Sequence, residues 1–307
     1  MKKRQIKELQ AEEAEYFNSI ARIRSDDTQI FMEVDIRRAT KSRIRHIIDP
    51  GITNILQGRT RDQLINLLAP KSGLRILEVG CGSGWLSLEL ARRGCTVDAY
   101  DISPEAIKLA KRYLKYNMNT LGFGKINYHL ADVSEVAFMP EKYDGVVGWS
   151  ALHHLPDVPK FMDKVFVILK SGGIVASMDD MPRGKVEVAL EYLFEFLLPH
   201  YKLSYIQKVK FVLNVIMGKS RLRVEYFSPM EQAKHSSVDE IKDAFSSKFQ
   251  IIMETQENAF IGLPVMRMAG PDHIRYFIAK LLFNFDKLLC KIKLVKGFER
   301  ILVAKKL

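Results

Sequence analysis

From residue 75 onward the chain alternates short apolar runs with stretches whose apolar residues recur at helical spacing, and this rhythm predicts most of its elements. Residues 75–79 read as a strand, 85–93 as a helix and 96–100 as a second strand. Ser103-Pro104-Glu105 opens a helix to about Met118: the serine side chain can cap exposed amides, and proline at the first helical position lacks the N–H that would go unpaired. Residues 126–130 and 143–149 are predicted strands, 158–169 a helix, and 174–178 a strand after Gly172-Gly173. Alternation of this kind predicts a parallel sheet covered by helices on both faces.

Outside that stretch the pattern is helical. Ile6, Leu9 and Glu13 open an amphipathic run within residues 5–68, interrupted at Asp49-Pro50-Gly51 and resumed over 52–68. Residues 182–227 are apolar, aromatic and helical in tone, as in Leu190, Tyr192, Leu193, Phe194, Phe196, Leu197 and Leu198. Ser237-Val238-Asp239-Glu240 is a capping box that opens a helix to Phe245, and 249–255 returns to a strand. A second insertion runs from Gly270-Pro271 to Lys296-Gly297, before a final strand at 299–304.

Composition narrows the class. The 307 residues are 47% apolar and 27% charged, with 18 Gly and 11 Pro, which excludes collagen-like and largely disordered chains. The first residues lead into acidic Glu8, Glu12, Glu13 and Glu15 with no apolar core, so no secretory leader is expected. No uncharged apolar run is long enough for a spanning helix. Cys81, Cys95 and Cys290 lack C-x-x-C spacing, which argues for a reducing, cytoplasmic setting and against a disulfide framework or a metal site. The net charge of +11 is unevenly placed: residues 267–307 carry +7 and residues 200–224 carry +6, leaving −2 for the rest.

The candidate chemistry lies in Glu78-Val79-Gly80-Cys81-Gly82-Ser83-Gly84, which closes the first strand and opens a helix. Glycines there let the backbone turn tightly and approach a ligand at the helix N-terminus. Asp101 ends the second strand, where a carboxylate can accept both hydroxyls of a ribose, so the pair points to a nucleoside cofactor. A dinucleotide fingerprint wants its third glycine where Trp85 stands, and the acid Glu78 would repel phosphates and suits an ammonium-bearing ligand.

On these residues the chain resembles the class I S-adenosylmethionine-dependent methyltransferases, whose first motif is E-x-G-x-G-x-G, over roughly residues 60–180. The resemblance implies an α/β fold: a doubly wound, seven-stranded Rossmann-like methyltransferase sheet with an N-terminal helical cap and two helical inserts. It implies S-adenosyl-L-methionine as cofactor, with Gly80, Cys81, Gly82 and Gly84 at its methionyl part, Asp101 at the ribose and Ile102 on one adenine face. Asp132, in Ala131-Asp132-Val133, matches the acid at the adenine amino group, and Glu78, Val133 and Trp149 complete the implied cofactor contacts. Tyr143 to Ser150 matches the fourth strand, and Leu169-Lys170-Ser171-Gly172-Gly173 the turn before the fifth. The expected organisation is a helical cap at 1–68, a cofactor-binding core at 69–181, a helical insert over the substrate site at 182–234, and completion of the core at 235–307 with a basic amphipathic insert at about 272–296.

Methyl transfer from a sulfonium is an in-line displacement, so positioning supplies much of the acceleration and a base is needed only for an acceptor protonated at neutral pH. His153 and His154, after the fourth strand, and Asp179 and Asp180, ending the fifth, are the candidates, each against a structural hydrogen-bonding role. Tyr16-Phe17 resembles part of a cofactor-covering helix, with core packing as the alternative. No Asp/Asn-Pro-Pro-aromatic tetrad of nucleobase amino methylation follows the fourth strand, nor a cysteine for pyrimidine carbon methylation. The expected activity is methylation of a small or lipid-linked acceptor, oxygen favoured; the alternatives are a non-catalytic S-adenosylmethionine-binding protein and an RNA methyltransferase.

Both inserts should rim the substrate opening. In the second, Ile274, Ile278, Leu281, Phe285, Leu288, Ile292 and Val295 recur at alternating four and three, with Lys280, Lys287, Lys291 and Lys293 between them. Such a basic amphipathic helix suits an anionic membrane surface, which would put the protein peripherally at the inner membrane. A lid or dimer helix with solvated lysines is the alternative, and the absence of an aromatic–basic RNA module argues against nucleic acid.

Overall fold

The computed structural model describes residues 3–25, 49–118, 121–217, 228–230 and 238–307. Strands β1 (Arg75–Val79), β2 (Thr96–Asp101), β3 (Lys125–Leu130), β4 (Tyr143–Trp149) and β5 (Leu169–Asp180) run parallel. Strand β7 (Glu299–Lys305) is antiparallel to both β5 and β6 (Gln250–Glu257), giving one seven-stranded sheet in the order β3-β2-β1-β4-β5-β7-β6. The order reverses between β1 and β4, which opens a crevice outside their carboxyl ends, where ligands bind in open α/β sheets.

The helices are α1 (Lys3–Ser25), α2 (Pro50–Thr53), α3 (Arg59–Leu67), α4 (Trp85–Ala91), α5 (Pro104–Asn117) and α6 (Val158–Ile168). After β5 come α7 (Lys185–Leu197), α8 (Tyr205–Ile216) and α9 (Val238–Ser246), and after β6 come α10 (Gly262–Met266) and α11 (Asp272–Lys291). On one face Val158, Phe161 and Val165 of α6 pack with Ile241 and Phe245 of α9; on the other, Leu64 and Ile65 of α3 pack with Leu86 and Leu90 of α4. Burial on both sides is why the central strands read as continuous apolar runs. A separate cluster of Ile52, Leu56, Phe260, Val265, Ala279 and Phe283, with Leu190 and Phe194, joins both inserts to the start of α2.

Local signals act as expected at several ends. Ser103 Oγ accepts from Ala106 N at 3.0 Å, and Asp157 caps α6 through Lys160 N at 2.9 Å. At the expected break, Asp49 Oδ1 accepts from Gly51 N (2.8 Å) and Ile52 N (3.3 Å), so the interruption is a capped helix start.

Two expectations need correction. The fifth strand begins at Leu169 and not at 174, because Tyr143 pairs with Leu169 before an irregularity re-registers Gly145 on Ile174. The basic helix ends at Lys291 and not at 296. Lys293 takes the left-handed conformation (φ 61°) while its N–H bonds Cys290 O and that of Leu294 bonds Leu289 O, both at 3.0 Å, the pattern that closes a helix C-terminus. The chain therefore turns, and Val295, expected on the helix's apolar stripe, drops into the insert cluster. In the N-terminal segment, α3 packs on the sheet and α1 lies against α5 and over the carboxyl edge. Residue 237 of the expected capping box lies outside the described residues.

Candidate functional site

The turn after β1 uses three left-handed glycines, Gly80 (φ 64°), Gly82 (φ 51°) and Gly84 (φ 81°). A Cβ at Gly80 would run into Ala151 and one at Gly84 into the Tyr128 hydroxyl, so both are needed for packing. At Gly82 a Cβ would meet nothing within 4 Å, so this stretch of backbone faces open space, as close approach of a ligand requires. Glu78 sits beneath the turn, 2% exposed, and accepts from Ser87 Oγ; burial pushes its carboxyl up to about 8. It braces the turn from within. Cys81 is buried with its N–H on Tyr100 O at 3.0 Å, and burial holds its thiol well above the usual range.

Asp101 ties the turn to β2: Oδ2 accepts from Gly82 N and Oδ1 from Ser103 N, both at 2.8 Å. Burial raises its pKa, and the two backbone N–H groups partly offset that. Ile102 is half-buried beside it, and Val133 is buried under the end of β3. Asp132 Oδ1 accepts from Ser134 N (2.8 Å) and Ser134 Oγ (2.7 Å), while Oδ2 takes the amide of Gln10 on α1. Trp149, at the end of β4, stands edge-on to Trp85 with ring centroids 5.1 Å apart. The open backbone at Gly82 and the carboxylate at Asp101 fit the methionyl and ribose ends of S-adenosylmethionine.

The four candidate bases converge at the carboxyl ends of β4 and β5. His153 Nδ1 lies 2.9 Å from Asp179 Oδ1, which also accepts from Leu152 N (2.9 Å) and His153 N (3.1 Å). Burial would raise Asp179, but His153 and the backbone N–H groups win and hold it below the usual carboxylate range. The two imidazoles have centroids 4.0 Å apart. Asp180 Oδ2 accepts from Ser150 Oγ at 2.9 Å, and Ser150 is held at φ 51°, a strained backbone for a serine.

His154 Nδ1 lies 2.7 Å from Glu13 Oε1 of α1 and 3.1 Å from Ser228 Oγ, and Phe17 packs edge-on at 5.1 Å. Glu13 is 1% exposed, with Oε2 accepting from Met230 N at 2.8 Å. Asn18 Oδ1 accepts from Ser103 Oγ at 2.7 Å, so α1 is fastened along the site at three polar points, Gln10, Glu13 and Asn18. Sequence reasoning missed all three as site residues. One signal was available: Glu13 continues the stripe of Ile6 and Leu9, and an acid on a buried face needs a partner.

Further along the edge, Glu257 of β6 accepts from Thr60 Oγ1 and pairs with Lys287 of α11, and Asp286 accepts from Ala259 N and Phe260 N at 3.0 Å each. The insert helix is thereby anchored at the same edge as the site. Among the described residues no cluster of three His, Cys, Asp or Glu could hold a metal ion, and no helix is long and apolar enough to cross a membrane.

Comparison with known proteins agrees with this geometry. Ubiquinone biosynthesis O-methyltransferase of Xylella fastidiosa is 36% identical over 111 residues, 36% of this chain and 43% of that protein. The protein of the same name from Nitrosomonas europaea is 30% identical over 169 residues, 54% of this chain and 66% of its own length. Magnesium-protoporphyrin O-methyltransferase of Rhodobacter capsulatus is 34% identical over 96 residues, 31% of this chain and 40% of its length. The chain thus spans less than half of the first of these relatives. Among solved structures, a SAM-dependent methyltransferase from Aquifex aeolicus superposes with a TM-score of 0.47 at 12% identity, covering 85% of this chain and 95% of that one. A family model described as a methyltransferase domain matches residues 54–213, more than half of the chain, which therefore belongs to the class I S-adenosylmethionine-dependent methyltransferases.

Proposed function

We propose that the protein transfers the methyl group of S-adenosylmethionine to a hydroxyl of a small or lipid-linked acceptor. The observation that carries this is the union of the open glycine turn with Asp101, whose carboxylate bonds Gly82 N directly, beside a cluster of imidazoles and carboxylates at the same sheet edge. The relatives' names, all O-methyltransferases, support oxygen as the acceptor atom. When bound, the cofactor supplies an activated methyl on a sulfonium. The glycine turn of Gly80, Cys81, Gly82 and Gly84 would hold its methionyl part, Asp101 the ribose, and Ile102, Asp132 and Val133 the adenine. His154 is placed to take the acceptor's proton, its ring held at Nδ1 by Ser228 Oγ at 3.1 Å beside the Glu13 carboxylate. His153 and Asp179 form a second, more buried pair that fixes the loop after β4, and Asp180 with Ser150 lines the edge next to it.

The acceptor would enter over the inserts, 182–234 and the basic helix, and peripheral contact with an anionic membrane belongs to the same proposal. Calorimetry tests the cofactor site: Asp101→Ala should weaken S-adenosylmethionine binding by about 1 to 3 kcal/mol through lost charged hydrogen bonds, and unchanged affinity would refute the assignment. Release of S-adenosylhomocysteine across a pool of lipid extracts tests turnover; cofactor affinity without product would favour a binding protein on the same scaffold.

A further inference from the structure

Helix α11 has two apolar faces. Ala279, Phe283, Leu282 and Leu289 seat it on the insert cluster, and Asp286 pins it to the backbone after β6. On the opposite side, Ile274, Phe277, Leu281, Phe285, Leu288 and Ile292 follow one another at steps of three and four, each between 45% and 66% exposed. At 100° per residue these six fall within one narrow outward stripe, about 27 Å long at 1.5 Å per residue. Lys280 and Lys291 lie along one flank, and Lys293 follows the last turn; all three are exposed with no ion pair among the described residues. Lys287, expected to join them, is instead engaged by Glu257.

We infer that this outward stripe of α11 is an interfacial membrane anchor that beds in the headgroup region of an anionic bilayer and brings the carboxyl edge of the sheet to the lipid surface. It rests on the proposed transfer to a lipid-linked acceptor and names the partner of that site.

An exposed apolar strip of this length is uncommon on a soluble monomer and marks an interaction surface. The inward face is already seated, so α11 is not a detached lid. Charge decides between the remaining occupants. An isologous dimer would set the exposed Lys280, Lys291 and Lys293 against their own copies, whereas anionic headgroups attract them. Helix α8 carries a similar signature, with Ile206, Val209 and Leu213 exposed at i, i+3 and i+7, and Lys210, with Lys202 just before the helix, exposed without an ion pair among the described residues.

The test is sedimentation of the full chain with phosphatidylcholine vesicles, with and without phosphatidylglycerol, at low and high salt. The parent should pellet with the anionic vesicles at low salt, less with the neutral ones, and should be released by salt. Replacing Lys280, Lys291 and Lys293 by Gln should weaken binding roughly 150-fold, at about 1 kcal/mol for each basic residue near the surface. Leu281→Asp with Phe285→Asp should abolish it while leaving the melting temperature unchanged, because both side chains face out. Failure of the parent to pellet with anionic vesicles overturns the anchor, as does equal binding by the lysine variant. A parent that is dimeric in sedimentation velocity, and monomeric after Leu281→Asp, would assign the stripe to a second copy. Calorimetry with S-adenosylmethionine keeps the two proposals apart: vesicle binding without cofactor binding would sink methyl transfer and leave the anchor standing.

Discussion

Replacing Glu299 with glutamine should change the pH dependence of folding stability. Asp180, Glu299 and Glu257 stand side by side, each a register partner across neighbouring strands at the carboxyl edge. Glu299 Oε1 accepts from Gln57 Nε2 (2.5 Å) and Oε2 from Asn258 Nδ2 (2.9 Å), and the Lys287 cation goes to Glu257. Burial first, then the Asp180 charge, push Glu299 up to about 8 from an ordinary 4.5. The neutral acid has an O–H to donate, and the buried Asn258 Oδ1, which lacks a partner, is one amide rotation away. An acid whose folded pKa is raised contributes stability that is fully present below its unfolded value of 4.5 and is lost as pH rises through about 8. At about 1.36 kcal/mol per pH unit, complete loss amounts to roughly 5 kcal/mol. Glutamine copies the shape of the neutral acid and never ionises. In thermal melts it should lie within about 1 kcal/mol of the parent near pH 4.5, be the more stable by about 2 kcal/mol at about pH 6, and by roughly 5 kcal/mol above about pH 8. A difference that stays constant from about pH 6 to about pH 9 would show that Glu299 does not fold as the neutral acid.

Two further outcomes follow from the geometry. Phe283→Ala, on the seated face of α11, should cost about 3 kcal/mol in denaturant unfolding, whereas Phe285→Ala, two residues away on the outward stripe, should stay within about 0.5 kcal/mol; equal costs would mean the helix is seated otherwise. Once an acceptor is in hand, Glu13→Gln and His154→Asn should lower kcat by about 100-fold or more and leave cofactor affinity within about twofold; full turnover in both would show that positioning alone suffices.

The sequence by itself determined the sheet and the glycine turn, because both are encoded locally. The apolar runs at β1, β2 and β4, the serine and proline that open α5, and three glycines in one turn each specify backbone conformation within a few residues. The position of Asp101 was legible for the same reason, since it ends the strand next to that turn. Tertiary structure decided what depended on distant segments meeting. Glu13 reaches His154, and Gln10 reaches Asp132, only because α1 folds over the carboxyl edge. Packing put Glu78 beneath the turn on Ser87, and Lys287 looked solvated until Glu257 arrived from β6. In α11 apolar residues occupy opposite sides of one helix, and periodicity alone gives both sides equal standing. The choice of the inward face was made by Asp286, whose carboxylate fits the two backbone N–H groups of Ala259 and Phe260, and that bond turns Leu281 and Phe285 outward.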